Sequence, residues 1–513
     1  MVEPMVPAVA ATAAGGWTRR QVLAAGPGAV MAAPTMAAQT IPASGARRPN
    51  LLFLIADDHA GYVLGANGNP LAETPHLDRL AGEGTRFAQH FCNSPVCTPS
   101  RQSLLTGKLP HAAGVTRLPT PLDPAAPTLA KQLKKAGYAT AVFGKMHFNQ
   151  PGRPGLHGFD VCMTEREIQQ GWLREVKPRP LANRVKPEWR PFQDPARVWL
   201  NADQLPYGRV AGEMRSDYCV AQALKWLDAQ PTTQPWALWV SLQEPHSPFD
   251  FPVEDYGHFD PARFTPPRVG PEDAWQIPKI FRPLTDEDKR GIIAAYYTSA
   301  RFLDRNMGRV LDHVRSKKLE ENTLTVYTAD HGYSLGHHGR FEKHCGYTPA
   351  MHVPLLLRWP GKIKQQAVTH LTEHLDLTPT VTELLGIDPV PGAQGQNLLS
   401  GEPRESLFCE YLENEEAFVR TERWKYIFCS GRRARGDGYD IDQPTPGRYH
   451  RLYDLKSDPG EFTDVVGKFP LIVNEMQSHL LERFRATHPE AEKEPGLGGK
   501  EAALEFYVRP RDV

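Results

Sequence analysis

The ten residues NLLFLIADDH, Asn50–His59, decide how the rest of the chain is read. Leu51–Ala56 is a continuous apolar run. A strand with one wet face alternates apolar and polar side chains. A run without alternation suits a strand buried on both faces of a parallel sheet. The run stops abruptly at Asp57, Asp58 and His59. Charged groups at the carboxyl end of a central strand are where open α/β sheets bind ligands.

The pattern recurs along the chain. ATAVFGKMHF contains a short strand, Ala139–Phe143, that delivers Lys145 and His147. WALWVSLQEPHSPF contains a strand, Trp236–Leu242, that delivers Glu244 and His246, and NTLTVYTADHG one, Thr323–Thr328, that delivers Asp330 and His331. HVPLLLRWPG is a further strand closed by a turn. Helical stretches lie between: PHLDRLAGEGTRF with Pro75 at its start, Met214–Ala229 and Asp286–Lys318. This alternation predicts the α/β class, a large mixed, mostly parallel sheet sandwiched by helices. From about Ser406 the character changes to shorter strands joined by turns, followed by a helix over Pro470–Arg485. A smaller C-terminal α+β domain with an antiparallel sheet is expected there. The expected division is 1–45, 46–400 and 401–513. Pro178–Asp203 and Phe249–Leu284 read as long surface loops of the kind that shape a site.

Bulk composition narrows the function classes. Lys+Arg and Asp+Glu both number 59, so no global charge draws the chain to nucleic acid or an anionic membrane. The seven cysteines contain no C-x-x-C pair, which argues against a zinc ribbon or a thioredoxin motif. They could pair or stay as scattered thiols. No haem, iron–sulfur or dinucleotide motif occurs. TRRQVL, Thr18–Leu23, is followed by Ala, Gly, Val and Met and then by small residues. That order predicts a bacterial twin-arginine export signal, cleaved near Ala38–Ala46, and a periplasmic or extracellular product. The apolar stretch is too short for an anchor, so no membrane anchor is expected in the mature form.

The strand-end residues suggest one chemistry. Asp57, Asp58 and Asp330 bring three carboxylates from two strand ends, and such groups repel unless a cation holds them. His331 can add a nitrogen ligand. Lys145, His147, His246 and Lys343, the last in the loop GRFEKHCGY, would make an anion-attracting pocket around that cation. Each alone is commonly a solvated surface residue. His337, His338, His344 and His352 read as surrounding loop groups.

The stretch SPVCTPSRQSLLTG, Ser94–Gly107, joins these pieces. From Cys97 to Gly107 it matches the C-x-P-S-R-x-x-x-L-T-G signature, and the chain here resembles the type I, formylglycine-dependent sulfatases. The resemblance extends through the strand-ending DD, G-K-x-H, P-H-x-P-F and D-H-G to RTERWKYI and LYDLKSDPGE, roughly Pro49 to Val466. It implies the alkaline phosphatase-like fold. It also implies that a formylglycine-generating enzyme oxidises Cys97 to an aldehyde, 3-oxoalanine, whose hydrate is the nucleophile.

The implied metal ligands are Asp57, Asp58, Asp330 and His331, with residue 97 completing the shell. The implied roles are diol binding for Arg101, sulfate neutralisation for Lys145 and Lys343, proton abstraction for His147 and leaving-group protonation for His246, with Lys343 assisting. One departure stands out: many relatives carry Asn where this chain has His331. The resemblance implies Ca²⁺, but an imidazole ligand also suits Mn²⁺ or Zn²⁺, and Mg²⁺ stays open. Export and long loops point to sulfated carbohydrate, glycosaminoglycan or other polysaccharide fragments, as substrate. Two alternatives remain: a phosphonate monoester or phosphodiester hydrolase of the same superfamily, and a sugar-binding relative without activity. The second predicts a broken signature, whereas every expected site residue is present.

Overall fold

The computed structural model describes residues 48–177, 209–274, 276–400, 402–431, 439, 441 and 448–512. The export signal and the Pro178–Asp203 loop expected from the sequence lie outside the described residues. Arg47–Val513 form one compact unit.

Strand β1, Asn50–Asp57, is buried along its whole length. It is the spine of an eight-stranded sheet ordered β5-β4-β6-β1-β7-β8-β2-β9. The other members are β2 (Thr85–Phe87), β4 (Ala139–Gly144), β5 (Val161–Met163), β6 (Trp236–Pro245), β7 (Thr323–Ala329), β8 (Leu355–Arg358) and β9 (Gln366–Val368). β1 pairs in parallel with β6 and β7, and β4 with β5 and β6. β8 runs against both its neighbours. The missing alternation in β1 has its cause here. Leu52, Leu54 and Ala56 enter a core with residues of helices Pro75–Gly82, Arg215–Asp228 and Asp286–Ser316. Leu51, Phe53 and Ile55 face the opposite way, towards helices Cys97–Thr106, Leu129–Lys135 and Leu377–Leu384. The period of two along a strand thus feeds two cores, one on each face.

Several boundaries move. The expected helix from Pro75 through Phe87 ends at Gly82, and Thr85–Phe87 become β2 between β8 and β9. The intervening Gly84 lies so close to β8 that a Cβ there would meet the Leu357 carbonyl at 2.2 Å, so the chain passes into the sheet only through a glycine. β6 runs on to Pro245, three residues beyond the predicted end, with a register shift opposite Ile55–Asp57. The 31-residue helix Asp286–Ser316 starts at a capping box formed by Thr285 and Asp288. The Phe249–Leu284 region contains only short 3₁₀ turns among the described residues. It buries Phe249, Phe251, Phe259, Phe264 and Phe281 against Tyr296 and Tyr297 of the long helix.

The C-terminal part is the expected small antiparallel sheet: β11 (Leu407–Tyr411), β12 (Glu416–Arg420), β13 (Trp424–Cys429) and β14 (Tyr449–Asp454). Helix Pro470–Thr487 covers it with Val473, Met476, Leu480, Leu481 and Phe484. A second helix, Gly499–Tyr507, was not expected; its Tyr507 ring stacks on Phe484 at 5.0 Å. A short pair, β3 (His90–Phe91) with β10 (Thr372–Glu373), stands separately. All seven cysteines are buried free thiols.

Candidate active site

Four parallel strands, β4, β6, β1 and β7, stop side by side, and seven of the ten predicted site residues lie at or just beyond their carboxyl ends. Asp57 ends β1 and Asp58 follows with a left-handed backbone, φ 67°. Asp330 and His331 follow β7. Its backbone N–H bonds the Ala56 carbonyl, and Asp330 Oδ1 accepts the Asp58 N–H at 3.1 Å. β4 ends in Gly144, where a Cβ would lie 1.9 Å from the Ser241 carbonyl; that close approach carries Lys145 and His147 over the end of β6.

Cys97 is the first residue of the helix Cys97–Thr106, whose N-cap, Val96, offers no capping side chain. The first N–H groups of a helix lack intrahelical partners, and its dipole favours negative charge at that end. His331 Nε2 lies 3.1 Å from Cys97 Sγ, and Lys145 Nζ lies 3.9 Å away. Burial raises the thiol pKa, but Lys145, Lys343 and His331 outweigh it and hold Cys97 well below the ordinary thiol value.

The charges around the sulfur interlock. Lys145 bonds Asp57 Oδ2, and Lys343 Nζ reaches both Asp58 oxygens at 3.0 and 3.1 Å. His331 Nδ1 stands 3.0 Å from Asp58 Oδ1. His246 donates Nδ1–H to the Ser247 carbonyl at 2.5 Å, which turns Nε2 towards Asp58 Oδ2 at 3.8 Å. Arg101, wholly buried, lies between two carboxylates. Its Nε donates to Asp330 Oδ2 at 2.8 Å, and its Nη2 stands 3.3 Å from Asp57 Oδ1 without the alignment of a hydrogen bond. Its Nη1 bonds Ser241 Oγ at 2.8 Å and the Lys145 carbonyl.

The two central carboxyls respond in opposite directions. Burial raises Asp57, but Lys145, with His246 and Arg101, brings it well below the carboxylate range. Burial raises Asp330 to about 7, with Arg101 opposing and the neighbouring Asp57 charge adding. Burial disfavours the charged His331 imidazole, yet Asp330, Cys97 and Asp58 raise it to about 10.

The donor set fits a divalent cation. One ligand atom each from Asp57, Cys97, Asp330 and His331 lies within 4.8 Å of the others, and Asp57, Asp58, Cys97 and His246 form a second such set. Asp57 Oδ1 is buried without a hydrogen-bond partner, an unmet demand that a cation satisfies. The His147 side chain acts on the Cys97 thiol as a hydrogen-bond partner, so all ten site residues singled out in the sequence stand in one cluster. Among the surplus histidines, His338 stacks on Tyr347 at 3.6 Å and bonds Asp273, and His352 Nε2 lies 3.0 Å from the Ala88 carbonyl. Burial lowers His337 and His352 to about 4.

Other residues of the site escaped the sequence reading. Ser100, inside the signature, donates to the Asp330 carbonyl at 2.5 Å and ties the Cys97 helix to β7. Glu165 accepts the His147 N–H at 2.8 Å and the Met146 N–H at 3.3 Å, holding His147 at φ 55°. Tyr296 accepts from Ala60 N–H and donates to the Asp58 carbonyl. Only Ser100 had a local signal, its place beside Arg101.

Comparison with known proteins agrees with this geometry. Residues 49–387 match the sulfatase family model, and residues 336–488 match the model of the N-sulphoglucosamine sulphohydrolase C-terminal region. The chain is 27% identical to arylsulfatase K of Bos taurus, over 88% of this chain and 86% of that protein. It is 27% identical to choline-sulfatase of Rhizobium meliloti (strain 1021), over 86% and 87%. The fold resembles phosphonate monoester hydrolase of Agrobacterium radiobacter, with TM-score 0.67, 24% identity and coverage of 88% and 99%. It also resembles a protein solved in complex with its substrate D-glucosamine-2-N,6-O-disulfate, with TM-score 0.66, 20% identity and coverage of 86% and 99%. The alkaline phosphatase-like sheet, the strand-end cluster around Cys97 and the match over most of its length lead to one conclusion: the chain belongs to the sulfatase family and is a sulfuric ester hydrolase.

Proposed function

We propose that this chain hydrolyses sulfate esters of sulfated carbohydrate through a formylglycine made from Cys97 and a divalent cation, calcium. One observation carries the reading: Asp57, Asp58, Asp330 and His331 converge with Lys145 and Lys343 on Cys97, whose sulfur stands in for the hydrated aldehyde oxygens. Three carboxylates among four protein ligands favour calcium over Mg²⁺, Mn²⁺ or Zn²⁺. Such a cation supplies polarisation of a sulfate oxygen and acidification of the nucleophilic hydroxyl. The hydrate would supply a nucleophile whose sulfated form expels sulfate when its second hydroxyl is deprotonated, restoring the aldehyde for rehydration by water.

The remaining work falls to the chain's own side chains. Lys145 and Lys343 balance the sulfate oxygens. His147 takes the proton from the second hydroxyl. His246 delivers a proton from Nε2 to the departing alcohol, with Lys343 assisting. Arg101 holds the diol and, from its place between Asp57 and Asp330, offsets the repulsion between those carboxylates. Residues 46–400 carry this chemistry, and 401–513 form the smaller subdomain. The substrate class is supported by a fold relative solved with a disulfated glucosamine. Maturation requires a formylglycine-generating enzyme, and the twin-arginine pattern at Thr18–Leu23 supports export. No helix among the described residues is long and apolar enough to cross a membrane.

The test is co-expression with a formylglycine-generating enzyme, mass spectrometry of the peptide holding residue 97, and ion chromatography of released sulfate. The panel contains heparan and chondroitin disaccharides, sulfated monosaccharides, choline sulfate and an aryl sulfate. Release from one sugar class is the expected result. No release, with the aldehyde present, overturns the reading. A phosphonate monoester or phosphodiester hydrolase is the second reading, favoured by His331 and by the fold likeness to phosphonate monoester hydrolases. Faster turnover of an aryl phosphonate than of an aryl sulfate would select it.

A further inference from the structure

Four residues beyond His246, the group proposed to protonate the leaving alcohol, Asp250 forms with Arg215 a polar pair that the proposed chemistry does not use. His246 begins a tight turn in which its carbonyl accepts the Phe249 N–H at 3.0 Å. Phe249 and Phe251 are buried in the aromatic core, and the Ser299 hydroxyl fixes the Asp250 carbonyl at 2.9 Å. The Asp250 side chain, between those two anchors, keeps 20% of its surface exposed. Its Oδ1 is shielded from solvent and has no hydrogen-bond partner among the described residues. Its Oδ2 is 3.7 Å from Arg215 Nη2, too long for a strong ion pair, and the Arg215 side chain is 25% exposed. Arg215 is steered by the side-chain oxygens of Gln243 and Gln169, and it lines one crevice together with Gln243 and Lys145. Arg215 thus shares a crevice with Lys145, and Asp250 interacts electrostatically with both Arg215 and His246.

We propose that Asp250 and Arg215 read the leaving alcohol. The partly exposed Asp250 carboxylate accepts from a free hydroxyl neighbouring the sulfated carbon, and Arg215 donates to the oxygen beside it. The substrate class is then a pyranose sulfate with a vicinal hydroxyl, as opposed to an aryl or alkyl sulfate without one. This rests on the sulfatase reading above. A site built to hydrogen-bond a substrate hydroxyl discriminates strongly against analogues lacking it, because its own polar groups are left unpaired.

The experiment compares kcat/KM of the aldehyde-loaded protein and its Asp250→Ala variant on pyranose monosulfates, on a deoxy analogue lacking the vicinal hydroxyl, and on 4-nitrophenyl sulfate. The expected loss in the variant is roughly 10- to 100-fold on the monosulfate, with less than about a twofold change on the aryl ester. The deoxy analogue should lose as much on the wild type and nothing further on the variant. Asp250→Asn, which keeps the shape, should lose less on the sugar and nothing on the aryl ester. Equal losses on sugar and aryl esters, or no loss on the sugar, overturn the assignment and leave the sulfatase reading standing. Inactivity of the wild type on every ester overturns both.

Discussion

Two groups of fully buried charges treat their hydrogen bonds differently. At the junction with the C-terminal sheet, Lys425 of β13 pairs with Glu461 at 2.7 Å. Glu461 also accepts the N–H of Thr348 at 2.9 Å and its hydroxyl at 2.6 Å, so both carboxylate oxygens are satisfied. Glu373 is similarly surrounded by Asn93, Arg404, Arg483 and the Phe408 N–H. At the strand ends, by contrast, Asp57 Oδ1 and Arg101 Nη2 stay unmatched, and Asp57, Asp58 and Asp330 crowd together. A satisfied buried cluster holds structure in place. A cluster of carboxylates left short of partners has room for a cation. The contrast makes the strand-end group costly to keep and useful, and the junction group stabilising and chemically idle.

Several measurements can break that contrast, the largest effect first. Cys97→Ser, assayed on the best sulfate ester, should lose turnover by at least roughly 10³-fold, while its urea midpoint stays near that of the wild type. A large loss of stability without loss of turnover would reverse the assignment of the two clusters. Glu461→Gln leaves Lys425 buried without its counter-charge. Urea unfolding should show a loss of about 3–5 kcal/mol, with kcat/KM unchanged below the unfolding transition. Next in size is metal linkage. Calcium at about 100 times its dissociation constant should add about 2.7 kcal/mol to chelator-stripped protein. That gain should vanish in Asp57→Asn and persist in Glu461→Gln.

The smallest effect is on the acid limb of stability. Burial raises Glu461, but Lys425, His338 and Thr348 outweigh it, so its folded pKa lies below the ordinary 4.5. A depressed carboxyl contributes stability that is fully present above the unfolded value and is lost as pH falls through the folded one. Burial lowers Lys425, with Glu461 opposing. The wild type should therefore lose stability more steeply below pH 4.5 than Glu461→Gln, by less than about 1.4 kcal/mol per pH unit.

Much of the site could be read in the chain because its residues sit where the backbone pattern changes. Leu51–Ala56 ends in Asp57 and Asp58, and Thr323–Ala329 in Asp330 and His331, and parallel strands bring such ends together. The residues that escaped act across long separations. Glu165 holds His147 from the start of another helix, and Tyr296 reaches the Asp58 carbonyl across 238 residues of sequence. Neither leaves a periodicity or a spacing behind. The strand Thr85–Phe87 is only three residues long, too short to show an alternation of its own, and it follows from the close packing of Gly84 on β8.

The sequence by itself determined the class of sheet, the four strand ends, the identity of the acidic and basic groups gathered there and the signature around Cys97. Hydrophobic periodicity and local motifs are properties of neighbours along the chain. The tertiary structure decided that Arg101 stands between two carboxylates, that Asp57 keeps an oxygen free, and that Asp250 Oδ2 comes within 3.7 Å of Arg215 Nη2 while its Oδ1 finds no partner. Those facts depend on which buried polar atom finds a partner, and that is settled only when strands and loops distant in sequence pack together.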